Sequence, residues 1–153
     1  MEDLCKDVVA EWHGDLAFMG RNEAGGTVQM GTLNGKPGIG PMEMLLLGIA
    51  GCTGIDVVST LKKQRQPLKD LKIKVRGIRS GKHPRVYTEI EVIYLLWGDG
   101  LDPAAVERAI KLSEEKYCSA SAMMRSTAKI RSTYRLVTAD EQPAVAVEQI
   151  VKT

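Results

Sequence analysis

Two of the three cysteines in this chain stand where a sulfur atom could do chemistry. Cys52 lies in the middle of a long apolar stretch, and Cys118 lies close to a predicted helix start. A cysteine reacts as its thiolate, so its surroundings decide whether it is a nucleophile or an inert core residue. The odd number and wide spacing of the cysteines do not fit a secreted disulfide framework. Cys5, near the N-terminus, we treat as incidental.

The stretch around Cys52 runs from Pro41 to Lys63 and carries no charge between Glu43 and Asp56. It is too long for a strand, and too short and glycine-broken for a membrane span, so we predict a helix. Apolar residues fall on every side of this helix, which predicts that it is buried all round. Burial by itself raises the pKa of a thiol and makes it unreactive, so a reactive Cys52 needs a cation nearby.

Two interpretations of the cysteines remain open on these residues alone. Free cysteines are commonly small core residues, which would make both structural. For the reactive interpretation, the start of a helix at Cys118 would lower its thiol pKa through the helix dipole. Gly48, Gly51 and Gly54 would leave room for a substrate beside Cys52, although close packing of a second helix explains them equally well.

The elements that position these residues follow from periodicity and from turn signals. Strands alternate apolar and polar residues, and Asp102-Pro103 marks a helix start. Val106, Ala109, Ile110 and Leu112 should face inward on that helix. The predicted elements are strands over 6–13, 15–20 and 27–32, a loop over 34–41, a helix over 42–65, strands over 70–79 and 85–96, helices over 103–116 and 118–127, and a strand over 130–137.

The order of these elements predicts an α+β fold, with antiparallel sheets packed around a long buried central helix. We expect one domain over 1–153. Its parts are an N-terminal β-meander (1–40), the central helix (41–66), a segment with the β-hairpin, helices and final strand (67–137), and a tail (138–153). Helices that are apolar all round are hard to bury in one subunit of this size, which predicts an intertwined homodimer.

Composition excludes several classes of function. The net charge of +2 comes from 21 basic and 19 acidic residues, and only 5% of residues are aromatic, so nucleic acid is not an expected partner. The basic run over 62–74 is explained by an ordinary solvated face. His13 and His83 do not cluster with cysteines at metal-ligand spacing, so we expect no metal. The acidic N-terminus lacks an apolar segment, so we expect a cytoplasmic protein without a membrane partner.

Two motifs carry a resemblance to a known family. The segment from Pro41 to Gly54 and the Lys116-Tyr117-Cys118-Ser119 segment resemble the two cysteine motifs of the OsmC/Ohr family, the osmotically inducible and organic hydroperoxide resistance proteins. The resemblance spans roughly residues 6–137 and is strongest to the uncharacterised OsmC-like branch. It implies a thiol peroxidase that needs no cofactor and works as a tight dimer with two sites at the interface.

The resemblance also implies residue roles. Cys52 matches the peroxidatic cysteine, which attacks an organic hydroperoxide and becomes a sulfenic acid. Cys118 matches the resolving cysteine, which forms a disulfide with it. An external dithiol, on a lipoyl protein or a thioredoxin-like protein, then reopens the disulfide. Arg21 matches the arginine that activates the thiolate, and a solvated turn residue explains it equally well. Glu43 is the candidate partner of that arginine.

This chain departs from the hydroperoxidase pattern at two places. Met42 fills the position after the loop proline where the family has its glutamate, and Glu43 comes one residue later, about 100° around the helix. Asp56 follows Cys52 by one turn, and we expect it to hydrogen-bond within the structure or to pair with a basic residue. Both departures favour a rival interpretation, a non-catalytic dimer of the same fold that binds a small apolar ligand.

Overall fold

A computed structural model of the chain describes residues 4–137, and the predicted tail lies outside them. The chain folds as two compact units, the first ending at Leu45 and the second beginning at Leu46. The mixture of helices and antiparallel sheets confirms the predicted α+β class.

The first unit is a three-stranded antiparallel sheet in the order β1-β2-β3, with β1 at Val8–Trp12, β2 at Phe18–Asn22 and β3 at Thr27–Met30. Two very short strands follow, β4 at Thr32–Leu33 and β5 at Lys36–Pro37, where a plain loop was predicted. They form a hairpin because Asn34 and Gly35 both take positive φ values, 51° and 72°. Asn-Gly tolerates this tight turn better than other residue pairs.

The central helix, α1, spans Pro41–Lys63. Proline suits its first position because that residue has no intrahelical partner for an N–H. The Glu43 carboxylate accepts a hydrogen bond from the Gly40 N–H at 2.6 Å, which is the capping contact of a glutamate in the first helical turn. Lys62 and Lys63 lie in the last turn, where positive charge suits the helix dipole.

Within the single chain, α1 buries only one side. Its buried residues recur every fourth position, at Ile49, Thr53, Val57 and Leu61. Ile55 is 72% exposed, and Leu45 and Leu47 are also exposed. The prediction of a helix buried all round is therefore wrong for the isolated chain, because the chain covers only one stripe of this surface. By length and composition α1 could also cross a membrane, a property that it shares with core helices of soluble proteins.

The second unit contains a three-stranded sheet in the order β6-β7-β8, with β6 at Asp70–Arg79, β7 at Tyr87–Trp97 and β8 at Lys129–Val137. The β6–β7 hairpin is antiparallel as predicted, and Ile90, Val92 and Tyr94 lie on its buried face. The expectation that all strands pair antiparallel is wrong for the last strand, because β8 pairs with β7 in parallel. The helical segment between them makes this possible, since parallel neighbours need a long crossover connection.

That crossover begins with α2, Pro103–Leu112, where the Asp102 side chain accepts from the Ala104 N–H at 3.0 Å. The helix then widens into a π-helical turn over Ser113–Tyr117, in place of the predicted straight helix to 116. Ser113, four residues after Ala109, takes the next inward position. Leu112 was predicted to face inward but is 38% exposed. A short helix, α3, follows at Ser119–Met124 and begins beside Cys118.

Candidate functional site

The second unit brings Cys52 and Cys118 together. Both are free thiols, with Cys52 half-buried and Cys118 only 2% exposed. Burial raises the pKa of the Cys118 thiol, and the neighbouring Cys52 side chain adds a smaller contribution in the same direction. Cys52 sits on α1 and Cys118 at the end of the π-helical turn, so the fold makes neighbours of two residues that are distant in sequence.

Ser121 makes the polar contacts of the Cys118 sulfur. Its hydroxyl lies 3.1 Å from Cys118 Sγ, and its backbone N–H donates to the same sulfur at 3.4 Å. These contacts lower the pKa of Cys118, but burial raises it by more, so that the net pKa is above the ordinary value. The expectation that the helix dipole lowers this pKa is wrong in its net direction, because α3 is short and the sulfur is removed from water.

The three glycines around Cys52 differ in what surrounds them. A Cβ atom added at Gly48 or Gly51 would meet nothing within 4 Å, whereas one at Gly54 would lie 3.0 Å from Ile73 Cδ1. Gly54 therefore permits close packing of α1 on β6. Gly48 precedes Cys52 by one helical turn and lies on the same side of α1. Among the residues of the second unit that the structure describes, none closes the approach to Cys52 beside Gly48 and Gly51.

Four hydrogen-bonding side chains connect the interior of the sheet to α1 beside the cysteines. The Tyr94 hydroxyl lies 2.6 Å from Thr53 Oγ1, which lies 3.0 Å from Ser113 Oγ. Ser113 Oγ in turn lies 2.8 Å from Asp56 Oδ2. A hydroxyl has one proton and a carboxylate only accepts, so Ser113 donates to Asp56 and accepts from Thr53. Asp56 thus hydrogen-bonds within the structure, one of the two roles predicted for it.

Tyr94, at the buried end of this hydrogen-bonded series of side chains, has a strongly raised pKa. Burial raises the pKa of Tyr94 from 10.0 to about 12, with smaller raising contributions from the charges of Glu114 and Cys118. The hydrogen bond between the Tyr94 hydroxyl and Thr53 lowers the pKa of Tyr94, but by less than burial raises it. Because the folded pKa lies above the unfolded one, this group stabilises the fold below pH 10, and the stabilisation is lost as the pH rises from about 10 to about 12.

We therefore expect a late tyrosine ionisation in an alkaline titration. Followed by tyrosinate absorbance, one step should occur near pH 12, coincident with loss of folded structure by circular dichroism. Tyr94→Phe should remove this step. A Tyr94→Phe protein that keeps the same late step would contradict the assignment.

Arg21 and Glu43 belong to the first unit, and each has a partner there. Arg21 Nη2 lies 3.5 Å from Glu11 Oε2, with both side chains about half exposed. It lies within β2, one residue before the strand ends, whereas a turn position was predicted. The Glu43 carboxylate binds the N–H of Gly40 at the start of its own helix. Cys5 is exposed, with its sulfur 3.9 Å from Asp7 Oδ2.

Sequence reasoning did not single out four hydroxyl-bearing residues, of which Ser121 contacts the Cys118 sulfur and the other three form the hydrogen-bonded network next to Cys52 in α1: Thr53, Tyr94, Ser113 and Ser121. Local signals existed for two of them. Thr53 directly follows Cys52, and Ser121 lies three residues after Cys118, the spacing of a helix-capping contact. Among residues 4–137, no cluster of three or more histidine, cysteine or acidic side chains could hold a metal ion.

A family model described as OsmC-like protein matches residues 33–133 of this chain. The chain belongs to the OsmC family. Protein YhfA of Escherichia coli K12, whose sequence is 38% identical over 129 residues, covers 84% of this chain and is itself 96% covered. OsmC-family membership therefore confirms the resemblance that the two cysteine motifs carried.

Solved structures share this OsmC fold. A hypothetical protein from Aquifex aeolicus VF5 is 37% identical with a TM-score of 0.79, covering 89% of this chain and 98% of its own. The organic hydroperoxide resistance protein OhrB of Bacillus subtilis is 17% identical with a TM-score of 0.58, covering 86% of this chain and 98% of its own. At that identity, the likeness to OhrB shows a common fold and no more.

Proposed function

We propose that this protein is a thiol-dependent peroxidase that reduces organic hydroperoxides through Cys52 and Cys118. The observation that carries the proposal is the juxtaposition of two free thiols from distant parts of the chain, one half-buried and one buried. Membership of the family that includes organic hydroperoxide resistance proteins supports it.

The proposed reaction has three steps. The Cys52 thiolate attacks one peroxide oxygen, an S–O bond forms as the O–O bond breaks, and the leaving alkoxide takes a proton to become an alcohol. The Cys118 sulfur then attacks the sulfur of the Cys52 sulfenic acid. An S–S bond forms as the S–O bond breaks, and the hydroxide combines with the Cys118 proton and leaves as water. An external dithiol, of a lipoyl or thioredoxin-like protein, reduces the resulting disulfide by exchange and is itself oxidised.

The surroundings of each sulfur suit its proposed role. The open side of α1 at Gly48 and Gly51 gives a hydroperoxide an approach to Cys52. Burial keeps Cys118 away from bulk oxidants and raises its pKa. Cys118 therefore stays a protonated thiol until the sulfenic acid forms on Cys52 beside it. Arg21 is our candidate for the cation that activates Cys52, and Glu43 for its partner.

The test is to mix the reduced protein with tert-butyl hydroperoxide and to follow peroxide loss and free thiols together. We expect stoichiometric loss of the Cys52 and Cys118 thiols in one turnover, with a Cys52–Cys118 disulfide in the peptide mass map. With dithiothreitol present, peroxide loss should continue over many turnovers. Unchanged thiols after exposure to a severalfold excess of peroxide would refute the proposal.

We further propose that the protein works as a homodimer. The exposed apolar side of α1 borders an open groove of about 730 Å³, lined by Gly51, Gly54 and Ile55 of α1 together with Leu71 and Ile73 of β6. A second copy of this helix would bury Ile55 and complete the burial of its neighbours, which the chain from 4 to 137 covers only in part. Sedimentation equilibrium should give twice the chain mass at micromolar concentration, and a monomer mass would contradict this.

A second candidate function is binding of a small apolar ligand without catalysis. One observation favours it: the carboxylate of Glu43 caps its own helix, and the guanidinium of Arg21 is paired with Glu11. In that case a ligand would occupy the glycine-lined groove of α1. The supporting result would be an apolar molecule retained by the purified protein in native mass spectrometry.

A further inference from the structure

Ser113 connects the two segments that carry the cysteines. Its carbonyl oxygen accepts from the backbone N–H of Cys118 at 2.7 Å, the bond that closes the π-helical turn. Its side-chain oxygen bonds Thr53, the residue after Cys52, and Asp56, one turn further along α1. One residue therefore holds the backbone of Cys118 and the α1 turn that begins at Cys52.

Burial makes these contacts strong. Ser113 and Thr53 are each only 1% exposed, so water does not replace a missing partner at either hydroxyl. The bond to Asp56 is charge-assisted, and such bonds are roughly twice as strong as neutral ones. The π-helical turn places the Cys118 N–H five residues after the Ser113 carbonyl to which it bonds. Single π-turns within helices are frequent at functional sites.

We propose that Ser113 is a positioning residue that sets the separation of the Cys52 and Cys118 sulfurs for disulfide formation. The geometry of a disulfide is narrow, with fixed S–S length and a preferred dihedral angle, so small shifts between α1 and the π-helical turn change its stability. This inference rests on the proposed function, in which the hydroperoxide is the oxidant that leads to the disulfide. The closing of the disulfide can nevertheless be measured without any peroxide.

The equilibrium to be measured is exchange with dithiothreitol. Oxidised dithiothreitol gives up its S–S bond, the two protein thiols lose their protons and two electrons, and the Cys52–Cys118 bond forms as reduced dithiothreitol is released. Full-length protein is equilibrated over a series of oxidised-to-reduced ratios, quenched with acid and alkylated. The fraction of disulfide is read by mass spectrometry, with Cys5→Ser as the common background so that the two site thiols alone respond.

We expect Ser113→Ala to lower the equilibrium constant for this disulfide about tenfold, the size of effect that loss of one charge-assisted hydrogen bond produces. Ser113→Thr, which keeps a hydroxyl, should recover most of the loss. Val106→Ala is the matched control. It removes buried volume from α2 in the same unit but no hydrogen-bonding atom, so it should lower thermal stability and leave the equilibrium constant unchanged.

Four outcomes are possible, and each has a defined consequence for the positioning role. An equilibrium constant in Ser113→Ala equal to that of the parent overturns the positioning role, whatever the peroxide assay shows. An equal loss in Val106→Ala also overturns it, because general loosening would then explain the effect. If Ser113→Ala fails to fold, Asp56→Asn replaces it, and a smaller loss in the same direction is required. If the parent does not react with peroxide but its equilibrium constant is still tenfold higher than that of Ser113→Ala, the peroxidase function is refuted and the positioning role stands.

Discussion

We expect Cys52→Ser to lower the rate of the proposed hydroperoxide reduction by more than about a thousandfold, because a serine hydroxyl is far less acidic than a thiol and does not attack the O–O bond. The protein remains folded, since the side chain is only half-buried and the exchange is nearly isosteric. The measurement is the loss of tert-butyl hydroperoxide under excess dithiothreitol, with the variant and the parent at equal concentration and with circular dichroism spectra recorded for both.

The chain supplies its own control for this experiment. Cys5 is exposed and lies in the first unit, so Cys5→Ser removes one thiol without touching the proposed site. We expect Cys5→Ser to keep the parent rate. Equal activity of Cys52→Ser and Cys5→Ser would show that dithiothreitol or a contaminant reduces the peroxide, and the proposed function would then fail.

Cys118→Ser separates the two chemical steps. The first oxidation of Cys52 should proceed at close to the parent rate, because Cys118 takes no part in breaking the O–O bond. The sulfenic acid then has no neighbouring thiol to condense with, so it accumulates and goes on to sulfinic acid under excess peroxide. We expect turnover with dithiothreitol to fall at least about tenfold, since an external thiol must reach the half-buried Cys52 directly.

The readout is a dimedone adduct on the Cys52 peptide, quantified by mass spectrometry after one equivalent of peroxide. The adduct should be abundant in Cys118→Ser and scarce in the parent, where the disulfide forms first. The exchange itself is tolerated at this position, because a serine oxygen can keep the contact that the Cys118 sulfur makes with the Ser121 hydroxyl. Adduct levels that are low in both proteins would exclude the resolving role of Cys118.

Local sequence signals predicted most of the elements with accurate boundaries. The helix predicted over 42–65 is found at Pro41–Lys63, and the strand predicted over 70–79 is found at Asp70–Arg79. Proline, glycine and charge mark the ends of such elements, and alternation marks the strands, so nearby residues carry the information. The two cysteine motifs are local in the same sense, and family membership confirmed them.

Features that depend on distant residues were missed or wrong. The parallel register of β8 on β7 is one, since either direction buries the same alternating face. The burial of α1 on one side is another, because apolar residues all round a helix do not tell which of them the chain itself covers. The π-helical turn at Ser113 left no recognisable signal in composition or periodicity.

The candidate site also has features that short sequence segments predict and features that only the tertiary structure shows. The sequence by itself determined which residues are the candidates for the proposed chemistry, Cys52 and Cys118, because a thiol and its motif are properties of short segments. Only the tertiary structure decided that the two sulfurs are neighbours, that burial raises the pKa of Cys118, and that Ser113 joins their segments. The physical reason is that pKa values and hydrogen bonds depend on distances in space, which the crossover from β7 through α2 to β8 sets.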